Sequence, residues 1–246
     1  YSTTYHYTIM KNNPKDPYFK HFVEDIEQRY HIRVLLVDDY KDIQIILNEL
    51  NSRIRSKRVF VSGAFSSFTS KIEEYSHNLS RNLASSLLEN DYRIVNGIGR
   101  RFGTHLIGYA NEYLAKQGVK DIEKHLIVKP FVGNTQGAAE EKYRSRKKVI
   151  GQCGTAIFVF GEMNENSSAT KSGVMEEFEI ACEQHKTIIP IAYPGMVSEI
   201  IWEKVKGELT RYPYLEGKID LLTSVQSPEF LSQIIIQILD SVQESM

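Results

Sequence analysis

The sequence predicts an α/β fold in which an open parallel sheet carries helices on both faces. Three observations lead there. From Arg58 onward, apolar runs of strand length alternate with longer stretches whose apolar residues recur at helical spacing. Glycines gather just after two of those runs, at Gly63 and at Gly97, Gly99 and Gly103, where such a sheet presents its loops. The chain has 246 residues, 41% of them hydrophobic and 25% charged, which suits a folded chain with a substantial core rather than a disordered or fibrous one.

Taken in order, Tyr1 opens into a polar stretch, Lys11 to Asp16, that reads as the interior of a longer polypeptide. His31 to Val37 (HIRVLLV) is expected as a buried strand, followed by a helix over Asp42 to Arg55 with Ile43, Ile46, Leu47, Leu50 and Ile54 on its apolar face. This is one βα unit without neighbours. Arg58 to Ser62 (RVFVS) starts the regular part as a strand, and a helix over about Lys71 to Leu88 follows. Next come a strand at Tyr92 to Val95 and a helix over Thr104 to Ala115. A third strand at His125 to Val128, the loop Pro130 to Gly137 and a basic helix, Glu140 to Val149, follow in turn. Thr155 to Phe160 is a continuous apolar strand. The polar segment Glu162 to Ser172, expected to be mobile, leads to a helix over Gly173 to Gln184, and Thr187 to Ala192 is the fifth strand. A helix near Val197 to Leu209, a short strand near Ile219 to Leu222 and an amphipathic helix from Pro228 to Val242 complete the chain.

Composition narrows the function classes. Thirty basic against 31 acidic residues leave a net charge of -1, so a dedicated nucleic-acid binder with a net basic face is not expected, whereas a local pocket for a small anion is. No apolar run approaches the roughly 18 to 20 residues of a membrane-spanning helix. Cys153 and Cys182 cannot make a disulfide framework and read as core fillers, and a cytoplasmic location is the expectation. The seven histidines show no His-x-x-x-His spacing, so no metal is expected.

Four features converge on the carboxyl ends of the strands, where loops and helix N-termini offer free backbone N–H groups. Ser62-Gly63-Ala64 lets backbone approach a ligand closely, although a tight turn explains it as well. Gly97-Ile98-Gly99-Arg100-Arg101-Phe102-Gly103 is a glycine-rich strand-to-helix turn of the kind that cradles phosphate. It departs from the dinucleotide fingerprint, and Val128-Lys129 stands where a nicotinamide site would want an acid, so a dehydrogenase is discounted. Lys142 to Lys148 holds five cations in seven residues. Lys142 and Arg146 lie four apart on one face, and Arg144 points away. Arg146 is the first choice for a phosphate, with Arg144 as the alternate and a solvated helix face as the plain explanation. The fourth feature is the helix start Gly173-Val174-Met175-Glu176-Glu177, whose carboxylates suit a helix N-terminus without any function. Glu177 is the candidate to accept hydrogen bonds from a ribose diol.

Over Arg58 to Ala192 this combination resembles the SLOG superfamily, a Rossmann-like fold shared by cytokinin-activating phosphoribohydrolases and several nucleotide sensors. Where the hydrolases carry an Arg-Lys pair, a strand and a Pro-Gly-Gly-x-Gly-Thr-x-x-Glu loop, this chain has Arg146-Lys147, Thr155 to Phe160 and Gly173 to Glu177. Of the leading Pro-Gly-Gly only Gly161 is kept, Val174 replaces the threonine, and about eleven residues separate the pieces. The strings YRIVNGIG (Tyr92 to Gly99), LIVKPF (Leu126 to Phe131), AIFVFG (Ala156 to Gly161) and EEFEIA (Glu176 to Ala181) are more similar to the SLOG domain that follows a sirtuin-like NAD-consuming domain in Thoeris anti-phage effectors. Tyr18 to Leu50 looks like the last βα unit of such a domain.

The resemblance implies residues 1–57 as a sirtuin-like remnant with linker and residues 58–246 as a nucleotide-sensing domain. It implies a cyclic ADP-ribose isomer as ligand, made by a TIR-domain partner, and activation of NAD+ hydrolysis by the attached sirtuin-like domain. No catalytic residue and no cofactor are expected in this chain, and a homodimer or homotetramer is. Ser62, Gly63, Gly97, Gly99, Arg100, Arg144, Arg146, Lys171, Gly173, Glu176 and Glu177 are the expected ligand contacts. The alternative is a phosphoribohydrolase that cleaves nucleoside monophosphates with Arg146 and Glu177.

Overall fold

The computed structural model describes residues 6–66, 69–131, 138–162 and 172–244. The chain divides into two compact units, residues 1–54 and 55–246. In the first, strand β1 (His6–Lys11) and strand β2 (Ile32–Val37) pair in parallel, with helix α1 (Phe19–Tyr30) between them. Helix α2 (Lys41–Ser56) follows and ends in the second unit. The lone βα unit expected from the sequence therefore has a strand neighbour. β1 escaped the sequence reading because HYTIMK is short, polar at both ends and nowhere buried. Among the described residues of this unit only Val37 is buried, and Ile45, Leu47, Leu50 and Ile54 of α2 are exposed.

The second unit is built on strands β3 (Arg58–Ser62), β4 (Arg93–Asn96), β5 (Leu126–Val128), β6 (Thr155–Val159) and β7 (Thr187–Ile191), all parallel, in the order β5-β4-β3-β6-β7. One helical layer packs α3 (Ser70–Glu89) against α4 (Phe102–Lys116) and α8 (Pro228–Glu244). The other packs α5 (Ala138–Ile150) against α6 (Gly173–Glu183), and α6 against α7 (Val197–Gly207). Because both faces are covered, the central strands are apolar without alternation: Val59, Phe60 and Val61 of β3 and Ala156 to Val159 of β6 are all buried. The α/β architecture with helices on both faces is the one the sequence predicts.

A sixth strand near Ile219 to Leu222 does not form. Ile219–Leu221 is a 3-10 turn, and the sheet's edge is met instead by a single parallel bridge between Ala192 and Thr223. Pro190 has its explanation here. Along β7 the Ile188 N–H donates to the Tyr214 hydroxyl (2.8 Å) and the Ala192 N–H to the Leu222 carbonyl (2.9 Å), so even-numbered positions face away from β6. Pro190 is one of them, where a missing N–H breaks no ladder bond.

Candidate functional site

The order of the strands creates the site. From β3 the chain moves to β4 and β5 on one side, then crosses back to β6 on the other. The loops after β3 and β6 therefore diverge and leave a crevice at the carboxyl edge of the sheet. A cleft of about 410 Å3 occupies it, inside the roughly 300–1,000 Å3 range of small-molecule sites. Its lining comes from the loops after β3, β4 and β6, the first turn of α6 and one face of α5.

Two glycine loops meet at the rim. A Cβ on Gly99 would fall 2.1 Å from the Gly63 carbonyl oxygen, so the turn after β4 can lie against the turn after β3 only without a side chain there. Asn96 shapes the same turn: its Nδ2 donates to the Val61 carbonyl (2.8 Å), while its Oδ1 accepts the Ile98 N–H (2.7 Å). Ile98 (φ 59°), Arg101 (φ 56°) and Phe160 (φ 59°), all in the loops after β4 and β6, hold positive φ. For side chains such as isoleucine and phenylalanine that conformation costs roughly 1–2 kcal/mol, and it is retained where surrounding contacts dictate the path.

Toward the floor lies a buried charge cluster. Arg146 donates from Nε to Glu177 Oε1 (3.0 Å) and from Nη1 to Glu176 Oε2, and its guanidinium stands over the Phe131 ring at 5.3 Å. The other oxygen of Glu177 accepts from the Ser62 hydroxyl at 2.6 Å. Burial pushes the Glu177 carboxyl above its ordinary range, opposed by the charge of Arg146 and the Ser62 hydrogen bond. Gly173 makes the geometry possible, since a Cβ there would lie 2.7 Å from Arg146 Nη2. Ser172 at the N-cap of α6 makes no side-chain capping bond, and Ser172, Gly173 and Val174 line the cleft. The first-turn N–H groups of α6 and the positive end of its dipole thus face the cleft.

Of the residues expected from the sequence, Ser62, Gly63, Gly97, Gly99 and Arg100 line the cleft, as do Arg146, Gly173 and Glu177. Among the described residues, Glu176 reaches the cluster only through Arg146. Arg144 is exposed and pairs with Glu140 one turn back (2.6 Å), and it does not line the cleft. Lys171 and nearly all of the segment Glu162 to Ser172 lie outside the described residues. Arg146 lines the cleft while its Nε and Nη1 are engaged by the carboxylates of Glu177 and Glu176. Sequence reasoning passed over Lys142 as a contact, although its position four residues before Arg146 placed it on the same face. It also passed over Asn96, whose place before a glycine turn was the available signal, and Phe131.

Comparison with known proteins places this arrangement. The family model of the Sir2- and TIR-associating SLOG family matches residues 42–242. The chain belongs to the Sir2- and TIR-associating SLOG family. A Bacillus cereus (strain MSX-D12) protein named NAD(+) hydrolase ThsA is 29% identical to this SLOG chain over 215 residues, 86% of the chain and 44% of that protein. An Enterococcus faecium protein of the same name is 28% identical over 228 residues, 88% and 46% respectively. One from Acinetobacter baumannii (strain 532279) is 27% identical over 194 residues, 75% and 40%. The chain spans less than half the length of these relatives. No helix among the described residues of the SLOG chain is long and apolar enough to cross a membrane.

Proposed function

We propose that the cleft binds a cyclic ADP-ribose isomer and that binding switches on NAD+ hydrolysis by a sirtuin-like domain of the same protein, in anti-phage defence. The observation that carries this reading is the cleft at the strand-order switch point. There an uncapped helix N-terminus, two glycine loops, Arg100 and Lys142 surround one space floored by Glu177. A pyrophosphate matches the first four, through backbone N–H groups and two cations. A ribose hydroxyl that hydrogen-bonds to Glu177 would compete with Ser62 for the carboxylate. Arg146 acts by positioning: it holds Glu177 and Glu176 in place rather than meeting the phosphates itself. The kinship with proteins named NAD(+) hydrolase ThsA supports the hydrolase partner domain, and the family's description as Sir2- and TIR-associating supports a TIR-domain source of the messenger; a cytoplasmic setting and a homo-oligomer are part of the same proposal.

Activation requires that the resting and active assemblies bind the messenger differently; a tenfold preference corresponds to about 1.4 kcal/mol. The test is calorimetric titration with cyclic ADP-ribose isomers, with AMP and ADP-ribose as comparators. The expected result is saturable binding of one cyclic isomer, weakened about 10- to 100-fold in Lys142→Ala and in Arg100→Ala, the loss of one charge-assisted contact each, and little changed in Arg144→Ala. Heats no larger than those of AMP overturn the proposal. Release of free base from AMP would instead identify a phosphoribohydrolase that uses the buried Glu177.

A further inference from the structure

Away from the cleft, helices α3 and α4 bring together a group of side chains to which the proposed nucleotide function assigns no role. Glu73 and His77 stand one turn apart on α3, and His105 faces them from the start of α4. One ligand atom from each lies within 4.8 Å of the others. We propose that Glu73, His77 and His105 form a binding site for a divalent transition-metal ion such as Zn2+, Co2+ or Ni2+.

The argument rests on which ring nitrogens converge. Glu73 Oε1 lies 3.4 Å from His105 Nε2 and 3.9 Å from His77 Nε2. Donors on a tetrahedral ion at about 2.1 Å are roughly 3.4 Å apart, so both histidine-to-glutamate separations already lie within about half an ångström of that spacing. The outward nitrogens are both held. His105 Nδ1 is 2.9 Å from the Ser76 hydroxyl, and His77 Nδ1 is 3.1 Å from the Tyr109 hydroxyl, which also accepts from Arg81 (3.2 Å). A hydroxyl oxygen that accepts Nδ1–H leaves the Nε2 lone pair free for an ion, and such outer partners fix the tautomer in metal sites. Two imidazoles and one carboxylate suit late first-row metals, with positions left for water.

Two features oppose the ion and define its competitor. The rings of His77 and His105 stack at 3.8 Å between centroids with planes 22° apart, so metal binding must splay them, a movement open to half-exposed His77. Arg101 Nη1 lies 3.3 Å from both Glu73 oxygens and has to give way, which its 39% exposed side chain permits. The sequence expectation of no metal looked for paired histidines; here a glutamate takes the place of the first, and the second histidine comes from the next helix.

The test uses the full chain, stripped with a chelator and titrated with Zn2+ by calorimetry and with Co2+ by visible absorption, neither of which depends on the nucleotide proposal. Expected are about one equivalent bound, Co2+ d–d bands, and affinity at least about tenfold lower in His77→Gln and in His105→Gln. Arg101→Gln, which removes the competitor, is expected to tighten binding. Less than a fifth of an equivalent, or affinity unchanged in both histidine variants, overturns the site. Because the side chain of His77 is 43% exposed, His77→Gln keeps the test decisive if His105→Gln fails to fold.

Discussion

At the residue scale the site is governed by one buried arginine. Removing a single partner from a buried ion pair costs roughly 3–5 kcal/mol, because the other charge is left in a poor solvent. Arg146→Ala leaves Glu177 with the Ser62 hydroxyl as its only side-chain hydrogen-bond donor among the described residues, so the carboxyl must take a proton to stay buried. Its native pKa, already raised by burial, then rises further. For an acid whose pKa is higher in the folded chain, the native state holds the extra proton. Stability is thus greatest in acid and is lost as pH rises from the ordinary carboxyl value of 4.5 through the raised one. Melting temperatures of Arg146→Ala are expected to fall below those of the parent by a margin that widens from pH 5 to pH 8. Glu177→Gln, which keeps the shape and discards the charge, is expected to flatten the parent's own decline over the same interval. A margin independent of pH would show that Arg146 supports the fold through packing alone.

At the element scale the glycine turns were readable and the charge cluster was not. The motif between Gly97 and Gly103 lies after an apolar strand, and its spacing alone marks a strand-to-helix turn. That Gly99 lies against the Gly63 carbonyl is a long-range contact invisible to any local pattern. Gly99→Ala is expected to push the two loops apart, lowering stability by about 1–3 kcal/mol in chemical denaturation and abolishing nucleotide binding, since the Gly63 atoms the new Cβ would crowd are backbone. Gly173→Ala meets only the end of the Arg146 side chain and is expected to cost less stability while still weakening binding. The charge of α5 shows the limit of periodicity. Five cations in seven residues could have formed one basic face, but helical geometry sends Arg144 to Glu140, Lys147 toward Glu183, and Arg146 alone into the core. The sequence records which charges share a helix face, whereas which of them are neutralised depends on carboxylates 30 and 31 residues away.

At the scale of the whole molecule, the apolar surface is divided unequally. Residues 55–246 hold the continuous core of Val59, Phe60, Ile157, Phe158, Ile188 and their neighbours, all essentially inaccessible, whereas in the first unit Val37 is the only buried residue among those described. At roughly 25 cal/mol per Å2 of apolar surface removed from water, the β1–β2 pair has little to hold it beyond its own ladder bonds, and a two-stranded sheet is marginal by itself. Opening free energy should follow that division. Hydrogen exchange of the chain as it stands is expected to show amides of β1 and β2 exchanging orders of magnitude faster than those of β3, β4 and β6. The single tryptophan, Trp202, whose indole N–H donates to the Ile219 carbonyl at 2.9 Å, reports only on the second unit. Its fluorescence transition in urea should therefore come later than loss of protection in β1 and β2. Added cyclic nucleotide should shift the tryptophan transition by RT ln(1 + [L]/Kd), about 2.7 kcal/mol at a hundredfold excess over Kd, and leave the exchange of β1 and β2 unchanged. Equal protection in both units would mean that the exposed face of α2 and the β1–β2 pair are covered in solution, and would turn attention to what covers them.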